Sequence, residues 1–403
     1  MSVRSHRRSV MIFGAGLNQL ELIREAKHLG LETVVIDPQG DPPGKAEADH
    51  FYRIDGSDYD TTRSVAVRHH IGGIVTGQTE RPLRIMARLA KEMGFVFNSP
   101  GVTERCLDKW LMKQAFIENN IPCAKGILLT AGEELSVKLP GDFGFPVIIK
   151  PRDAFSSRGV YRCETYDEIK AHIADTVSYS SSGGIIVEEF LAGKEYSVEA
   201  VTCHGRTTII QFTEKFITPY PNTVELGHLQ PAALTPEQQE AVSSVVIKTL
   251  KVLGIENSAS HTEIMLTEKG PAVIEVGARL GGDFIASYLT KSSTGISMDR
   301  AAIQIAMGTE PDIIPGQGQY SMIKYLELPA GKRVLDVLPA DDIRRLPGVV
   351  YAHIFVKKGD SIEPLVHSAM RPACIIAAAS SKELLLERMG ICSTELAKKI
   401  VLT

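Results

Sequence analysis

Short apolar stretches alternate with amphipathic ones through the first hundred residues, and this rhythm restricts the fold more than any other feature. Ser9–Phe13 is an apolar strand. Asn18–Leu29 puts Leu22, Ile23 and Ala26 on one helical face, and Gly30 is the C′ residue that closes the helix. Glu32–Ile36 is a buried strand ending at Asp37, followed by a Pro/Gly-rich loop over Pro38–Gly44. Gly73–Thr76 is a strand tip, Arg81–Met93 a helix and Phe95–Phe97 a further strand. A β-α-β succession implies a parallel sheet with helices on both faces.

Further along, a helix over Glu104–Asn119 is stopped by Ile121-Pro122, because the residue before proline is pushed out of the helical region. Val147–Lys150 is a strand, Ser156–Gly159 a small-residue loop and Tyr166–Val177 a helix. Ile185–Glu189 and Tyr196–Cys203 are strands, and Pro236–Leu253 is a long helix with proline at its start. The last hundred residues form a small α+β unit, with strands at Ser321–Glu327, Val349–Lys357 and Ala373–Ala379 and a helix over Lys382–Met389. With 403 residues the chain has room for two or three domains of about 100–200 residues each.

Composition removes several function classes. The net charge of −4 supplies no basic field for nucleic acid and no polybasic membrane anchor. No apolar run approaches the roughly 20 residues of a membrane span. The six cysteines form no CxxC pair, which fits reduced thiols and the cytoplasm as the expected compartment.

One motif points toward a dinucleotide. Gly14-Ala-Gly16 lies between a strand and a helix, with Asp37 ending the next strand. The third glycine of that pattern belongs at position 19, where the chain has Gln19. A tight strand-to-helix turn is the plainer explanation, and a nicotinamide-dependent oxidoreductase is kept as the alternative from another class.

The stretch from His261 to Gly282 is more informative. It reads as two strands, Ser258–Leu266 and Ala272–Gly277, joined by a turn around Glu268-Lys269-Gly270. If Leu266 pairs with Ala272, Glu263 falls opposite Glu275, and His261, Glu263, Glu275, Gly277 and Arg279 share one face. Ile264, Leu266, Ala272 and Ile274 then face the core. Two glutamates opposed on adjacent strands repel, and a divalent cation between them removes the conflict. Magnesium, held by carboxylates and nucleotide phosphates, suits such a pair. Arg279 can hold a transferring phosphoryl group or a carboxylate. The bland alternative is an exposed hairpin with solvated charges.

Two lysines stand where phosphates can be gripped. Lys150 ends an apolar strand just before Ser156-Ser157-Arg158-Gly159, whose backbone N–H groups can cradle phosphate oxygens. Lys109 sits in Leu107-Asp-Lys109-Trp. No GxxxxGK[ST] occurs, so this is not a P-loop protein. Glu188-Glu189-Phe-Leu191-Ala-Gly193-Lys-Glu195 runs from a strand through a linker whose backbone can meet a base edge and whose carboxylates can meet ribose hydroxyls.

In this order, the residues resemble the ATP-grasp superfamily over nearly the whole chain. The resemblance implies a Rossmann-like domain over 1–104, a two-lobed ATP-grasp domain over 105–305 with a mobile lobe near 123–187, and a C-terminal α+β portion over 306–403. It implies that Lys109, Lys150, Ser156, Ser157 and Gly159 meet ATP phosphates. Glu188, Glu189 and the Leu191 backbone would meet adenine, Glu195 the ribose, and Glu263 and Glu275 Mg2+, with Mn2+ as an alternative. Arg279, Lys150 and Glu275 would be the catalytic groups, with Arg279 stabilising an acyl phosphate. Members often have asparagine two residues after the second metal glutamate, and Gly277 stands there instead, which leaves open one metal or two. Glu225-Leu-Gly-His228, His261-Thr-Glu263 and Arg279-Leu-Gly281-Gly282-Asp283 look most like the L-amino acid (dipeptide) ligases, with biotin carboxylase-like members as relatives. His228, His261, Gly281, Gly282 and Asp283 are therefore candidates for the substrate end, although a core or capping role fits His228 and Asp283 equally well. The expected reaction joins a small-molecule carboxylate to an amine. Activation of bicarbonate or formate is the alternative within the fold, and a homodimer is the prior for a symmetric soluble enzyme.

Overall fold

The computed structural model describes residues 8–130, 143–220 and 223–403. The N-terminal unit holds β1 (Ser9–Phe13), α1 (Leu20–His28), β2 (Glu32–Asp37), β3 (His50–Arg53), α2 (Tyr59–Arg68), β4 (Ile71–Thr76) and α3 (Leu83–Met93). Its sheet is parallel, in the order β3-β2-β1-β4. The strands read as continuous apolar runs because both faces are covered. Met11, Val34 and Ile74 pack against α2 and α3, while Val10, Ile12 and Val35 pack with Leu22, Ile23 and Ala26 of α1. The expected strand at Phe95–Phe97 does not form, and that segment runs as a bend into the next helix.

The helix expected over Glu104–Asn119 is two helices, α4 (Pro100–Leu107) and α5 (Lys109–Glu118). Asp108 breaks the run. Its backbone is extended and its side chain accepts from the N–H groups of Trp110 and Leu111, so it caps α5. The first lobe that follows is a four-stranded sheet of β5 (Gly126–Leu129), β6 (Val147–Pro151), β7 (Tyr161–Cys163) and β8 (Ile185–Glu189), in the order β5-β8-β6-β7. It is backed by α6 (Tyr166–Ser178).

The second lobe is one side of a large antiparallel sheet. It is built from β9 (Lys194–Cys203), β10 (Arg206–Ile217), β11 (Glu225–Gln230), β12 (Ser258–Thr267) and β13 (Gly270–Gly277). Behind it lies α7 (Pro236–Leu253), opened by a Thr235–Gln238 capping box and closed by Gly254 at φ +81°. Ile264, Val273 and Val276 of the hairpin pack against Val242, Val246 and Leu250 of α7. Two helices follow, α8 (Thr290–Thr294) and α9 (Met298–Ala306), and α9 packs back onto the first sheet.

The C-terminal portion contains β14 (Tyr320–Tyr325), β15 (Val334–Val337), β16 (Val349–Ile354), β17 (Ala373–Ala379), α10 (Lys382–Ala397) and β18 (Ile400–Leu402). Helix α10 extends past the expected end at Met389. Three of these strands continue the large sheet, whose full order is β13-β12-β9-β10-β11-β14-β17-β16. One hydrogen-bonded surface therefore reaches from the acidic hairpin to the C-terminal residues. Among the described residues no helix is long and apolar enough to cross a membrane.

Candidate active site

The acidic hairpin reaches the expected pairing by an unexpected route. Its turn is tighter than anticipated: Thr267 pairs with Gly270, Leu266 with Pro271 and Ile264 with Val273. A bulge between Glu263 and Ile264 then takes up one residue on β13, so Glu263 still faces Glu275. The bulge also corrects the facing of the strand. Val273, not Ile274, enters the core, and Ile274 lines a cleft together with Met265.

That cleft has a volume of about 480 Å³ and lies between the two lobes. Both opposed glutamates line it, together with Lys109, Lys150, Ser156, Ser157, Glu188, Glu189, Leu191, Glu195, His228, His261, Arg279, Gly282 and Asp283. Gly159 and Gly281 do not. Gly159, at φ +70°, lies against Tyr179, Pro151 and Thr176, so it shapes the Ser156–Gly159 loop from behind. Gly281 faces the Glu199–His261 pair so closely that a Cβ there would lie 2.5 Å from Glu199 Oε2. Ser156 and Ser157 both adopt left-handed backbone, at φ 65° and 55°. Such strain in non-glycine residues persists where the surroundings hold it, commonly at ligand-binding turns.

Charge in the cleft is separated by sign. At one end Lys150 Nζ lies 2.5 Å from Glu188 Oε1, and Lys113 Nζ lies 2.9 Å from Glu188 Oε2. All three side chains are at most 8 % exposed. One carboxylate between two ammoniums leaves a net positive charge; Lys150 presents it to the cleft, while Lys113 lies behind and also donates to the Ala124 carbonyl at 2.6 Å. Burial opposes the Lys150 ammonium, but the Glu188 carboxylate outweighs it and holds the lysine pKa above its ordinary value. Burial likewise works against ionised Glu188, and the two lysines still keep its pKa low. Glu188 is thus engaged as a counter-ion, not left open toward a base as expected. Its neighbour Glu189 accepts from the Lys125 N–H at 3.0 Å.

The other end is acidic. Lys215 Nζ sits 2.5 Å from Glu195, 3.4 Å from Glu263 and 3.5 Å from Glu225, so three carboxylates share one ammonium. Burial and the neighbouring Glu263 raise the Glu195 pKa against the pull of Lys215. The Glu263 pKa is held well below its ordinary value: burial opposes ionisation, and Lys215 with His261 more than reverses it. Across the hairpin, Lys109 Nζ reaches Glu275 Oε1 at 2.6 Å.

His261 joins the acidic end to the core. Its Nδ1 is 2.5 Å from the fully buried Glu199, and its Nε2 is 3.7 Å from Glu263 Oε1. Burial lowers the imidazole pKa, Glu199 raises it more, and the net result is about 9 against an ordinary 6.5. A histidine pKa raised on folding stabilises the fold below its unfolded value and loses that contribution as pH climbs through the folded one. The pH-dependent part of the stability difference between wild type and His261→Gln is therefore expected to be on the order of 3 kcal/mol near pH 6. That part should be lost as pH rises from about 6.5 to 9. Urea denaturation across that range measures it, and a difference independent of pH contradicts the charged pair.

Arg279 is pinned by Glu80, from the loop after β4, through Nε at 2.7 Å and a second, shorter contact. Its guanidinium lies over Gly277, where a Cβ would come within 3.1 Å of Cζ. The missing side chain at 277 is thus the space that Arg279 occupies. At the far end Arg371, from the C-terminal portion, grips Asp283 with two bonds of 2.7 Å, and His228 Nε2 lies 3.1 Å from the same carboxylate. Burial disfavours ionised Asp283, and Arg371 more than offsets it, holding the carboxyl far below the usual range. Asp283 and Phe284 are both left-handed, at φ 52° and 60°, and the Phe284 N–H is held by Gln78 at 3.1 Å.

Lys113, Lys215, Glu80, Glu199, Glu225 and Arg371 were not among the expected residues. Lys113 lies on the buried face of α5, and Lys215 on a strand between Glu214 and Phe216. For Lys113 the available signal was its place on the apolar face of a helix with Met112, Ala115 and Phe116; Lys215, beside Glu214, carried none. The glycine turn after β1, by contrast, is filled from within. Gln19 is buried and its side chain lies over Gly14, Gly16 and Gly77. Asp37 is used on the Ala15 and Gln39 N–H groups. No room remains there for a pyrophosphate.

Two stretches of the chain match known protein families. Residues 143–287 match the ATP-grasp domain, and residues 324–390 match the L-amino acid ligase C-terminal domain 2. Dapdiamide A synthase of Enterobacter agglomerans is 24 % identical over 300 residues, covering 70 % of this chain and 69 % of that protein. The uncharacterized protein y4rH of Sinorhizobium fredii is 26 % identical over 314 residues, covering 76 % of this chain and 64 % of that one. The chain thus spans about two thirds of the length of these relatives. The L-amino acid ligase of Bacillus licheniformis shares the fold with a TM-score of 0.82 at 21 % identity, over 99 % of both chains. The chain thus carries an ATP-grasp domain over residues 143–287, followed by an L-amino acid ligase C-terminal domain 2 over residues 324–390.

Proposed function

We propose that the protein activates an amino-acid carboxylate as an acyl phosphate at the expense of ATP and passes it to an amine, with release of ADP and phosphate. The observation that carries this reading is the sign separation in one cleft: Lys150, paired with Glu188 and backed from behind by Lys113, faces the opposed carboxylates Glu263 and Glu275. Polyphosphate needs the first group, and its accompanying cation needs the second.

The donor set fits magnesium. Glu263 and Glu275 are opposed oxygen ligands whose charge is presently shared with Lys215 and Lys109. When bound between them, the metal neutralises charge on the phosphates. The protein's own groups do the rest. Lys150 and Lys109 hold phosphate oxygens, and the strained Ser156–Ser157 turn presents backbone N–H groups. The Leu191 backbone meets a base edge, and Glu195 takes the ribose. Arg279, oriented by Glu80, stabilises negative charge at the acyl phosphate. A site of cations, carboxylates and amides suits a reaction governed by positioning and charge neutralisation. The match of residues 324–390 supports amino acids over bicarbonate as the acceptor of phosphate.

The test is a phosphate-release screen over pairs of amino acids with MgATP, with mass spectrometry of the products. A condensed product that appears with ADP supports the proposal. ATP hydrolysis stimulated by bicarbonate or formate, without any amino acid, overturns it in favour of a carboxylating or formylating enzyme.

A further inference from the structure

A second cluster of metal-ligating side chains lies in the N-terminal unit, away from the cleft. Glu32 is the first residue of β2, His50 the first residue of β3, and His69 follows the last residue of α2. In open α/β sheets, ligand clefts sit beyond the carboxyl ends of the strands. This cluster sits at the amino ends, and none of its members lines the cleft.

One ligand atom from each of the three residues lies within 4.8 Å of the other two. Glu32 Oε1 is 2.9 Å from His50 Nε2, and the imidazole centroids of His50 and His69 are 4.5 Å apart. Two imidazoles and one carboxylate around a common point form a donor set for a borderline dication, above all zinc. Magnesium prefers six oxygens in a near-ideal octahedron and is poorly served here.

We propose that Glu32, His50 and His69 bind a zinc-class dication, with the fourth position left to water. Zinc–ligand bonds of about 2.0–2.2 Å put tetrahedral donor atoms roughly 3.3 Å apart, so the Glu32–His50 pair has to open slightly from 2.9 Å and His69 has to lie within the same span. Glu32 and His50 are 34 % and 40 % exposed, which leaves their side chains free to adjust.

The surroundings already orient the ligands. Ser9 Oγ donates to the other oxygen of Glu32 at 2.8 Å, and the Tyr52 hydroxyl lies 2.7 Å from His69 Nε2. Tyr52 is two residues along β3 from His50, so both side chains leave the strand on the same face. Outer contacts of this kind fix ring orientation at metal sites. The C-terminus of α2 adds a field that favours a cation. Because β3 is the edge strand of its sheet, the metal would tie the end of α2 to that edge and stabilise the unit.

The experiment uses the full-length, metal-free protein in excess MgCl2, which keeps the oxygen ligands of the cleft occupied. ZnCl2 is titrated calorimetrically, and thermal midpoints are recorded with and without zinc. Wild type is expected to bind one more zinc than the His50→Gln/His69→Gln double variant and to gain a zinc-dependent rise in Tm that the variant lacks. Tyr52→Phe, which keeps the packing of the ring, is expected to weaken zinc binding about tenfold. Equal zinc stoichiometry in wild type and the double variant, or undiminished affinity in Tyr52→Phe, overturns the assignment. Neither readout depends on ATP or on the proposed ligase reaction, so it succeeds or fails separately from that reading.

Discussion

Glu275→Gln is expected to lower substrate-dependent ADP release at least a thousandfold, about 4 kcal/mol in the barrier, while leaving the fold intact. Glu275 is part-exposed, at 28 %, and its partner is Lys109 Nζ at 2.6 Å. Glutamine keeps the shape and an oxygen that accepts from Lys109, so the packing of α5 against the hairpin should survive. The substitution also removes one of two opposed negative charges on adjacent strands, a repulsion that costs stability when no cation is bound. The lost repulsion offsets part of what the Lys109 ion pair contributes, so denaturation midpoints should stay close to the wild-type value. What glutamine cannot supply is the second anionic oxygen for a metal that carries phosphate charge. Nucleotide binding should weaken less than turnover, because Lys150 and Lys109 remain. A variant that releases ADP at the wild-type rate would sink the role given to Glu275.

How much of this was legible in the sequence depends on how local each determinant is. The N-terminal strands and helices follow a period that any window of residues displays, so β1, α1, β2 and α3 lie close to where the pattern puts them. The pairing of Glu263 with Glu275 was also legible, although through two compensating errors: the turn is shorter than expected, and a bulge restores the offset. Bulges have no strong sequence mark, and this one decides that Val273 and not Ile274 enters the core. The capping role of Asp108 was missed because Leu107-Asp-Lys109 continues a helical pattern on both sides, and only tertiary packing selects the break.

The partners of the site residues were harder still. Glu80 meets Arg279 across 199 positions, Arg371 meets Asp283 across 88, and Lys215 meets Glu263 across 48. Each is long-range, and each partner taken alone is an ordinary charged residue. The lysines and glutamates singled out in the sequence come together because the lobes enclose a common space. The ions that balance them come from elements the sequence reading passed over, β10 and the end of the loop before β17.

Lys215 gives the most severe expected loss of stability. Replacing it by methionine keeps the aliphatic stem and removes the ammonium shared by Glu195, Glu225 and Glu263. The side chain is 9 % exposed, and its pKa is held well above the ordinary lysine value: burial opposes the charge, and the three carboxylates overcome it. Breaking a buried ion pair by deleting one partner typically costs about 3–5 kcal/mol, because the remaining charge is left without compensation. Here the remainder is three carboxylates, so unfolding in urea at pH 8 should show a loss of that size. Carboxyls crowded in this way acquire raised pKa values, and a group with a raised folded pKa stabilises the fold when it takes up its proton. The deficit of Lys215→Met should therefore shrink as pH falls from 8 to 5, opposite to the usual acid destabilisation of paired carboxylates. Magnesium should shrink it as well, by placing positive charge beside Glu263. A deficit below about 1 kcal/mol, the range of an exposed ion pair, would show that the acidic end of the cleft is already solvated, and that Lys215 is not what holds its carboxylates together.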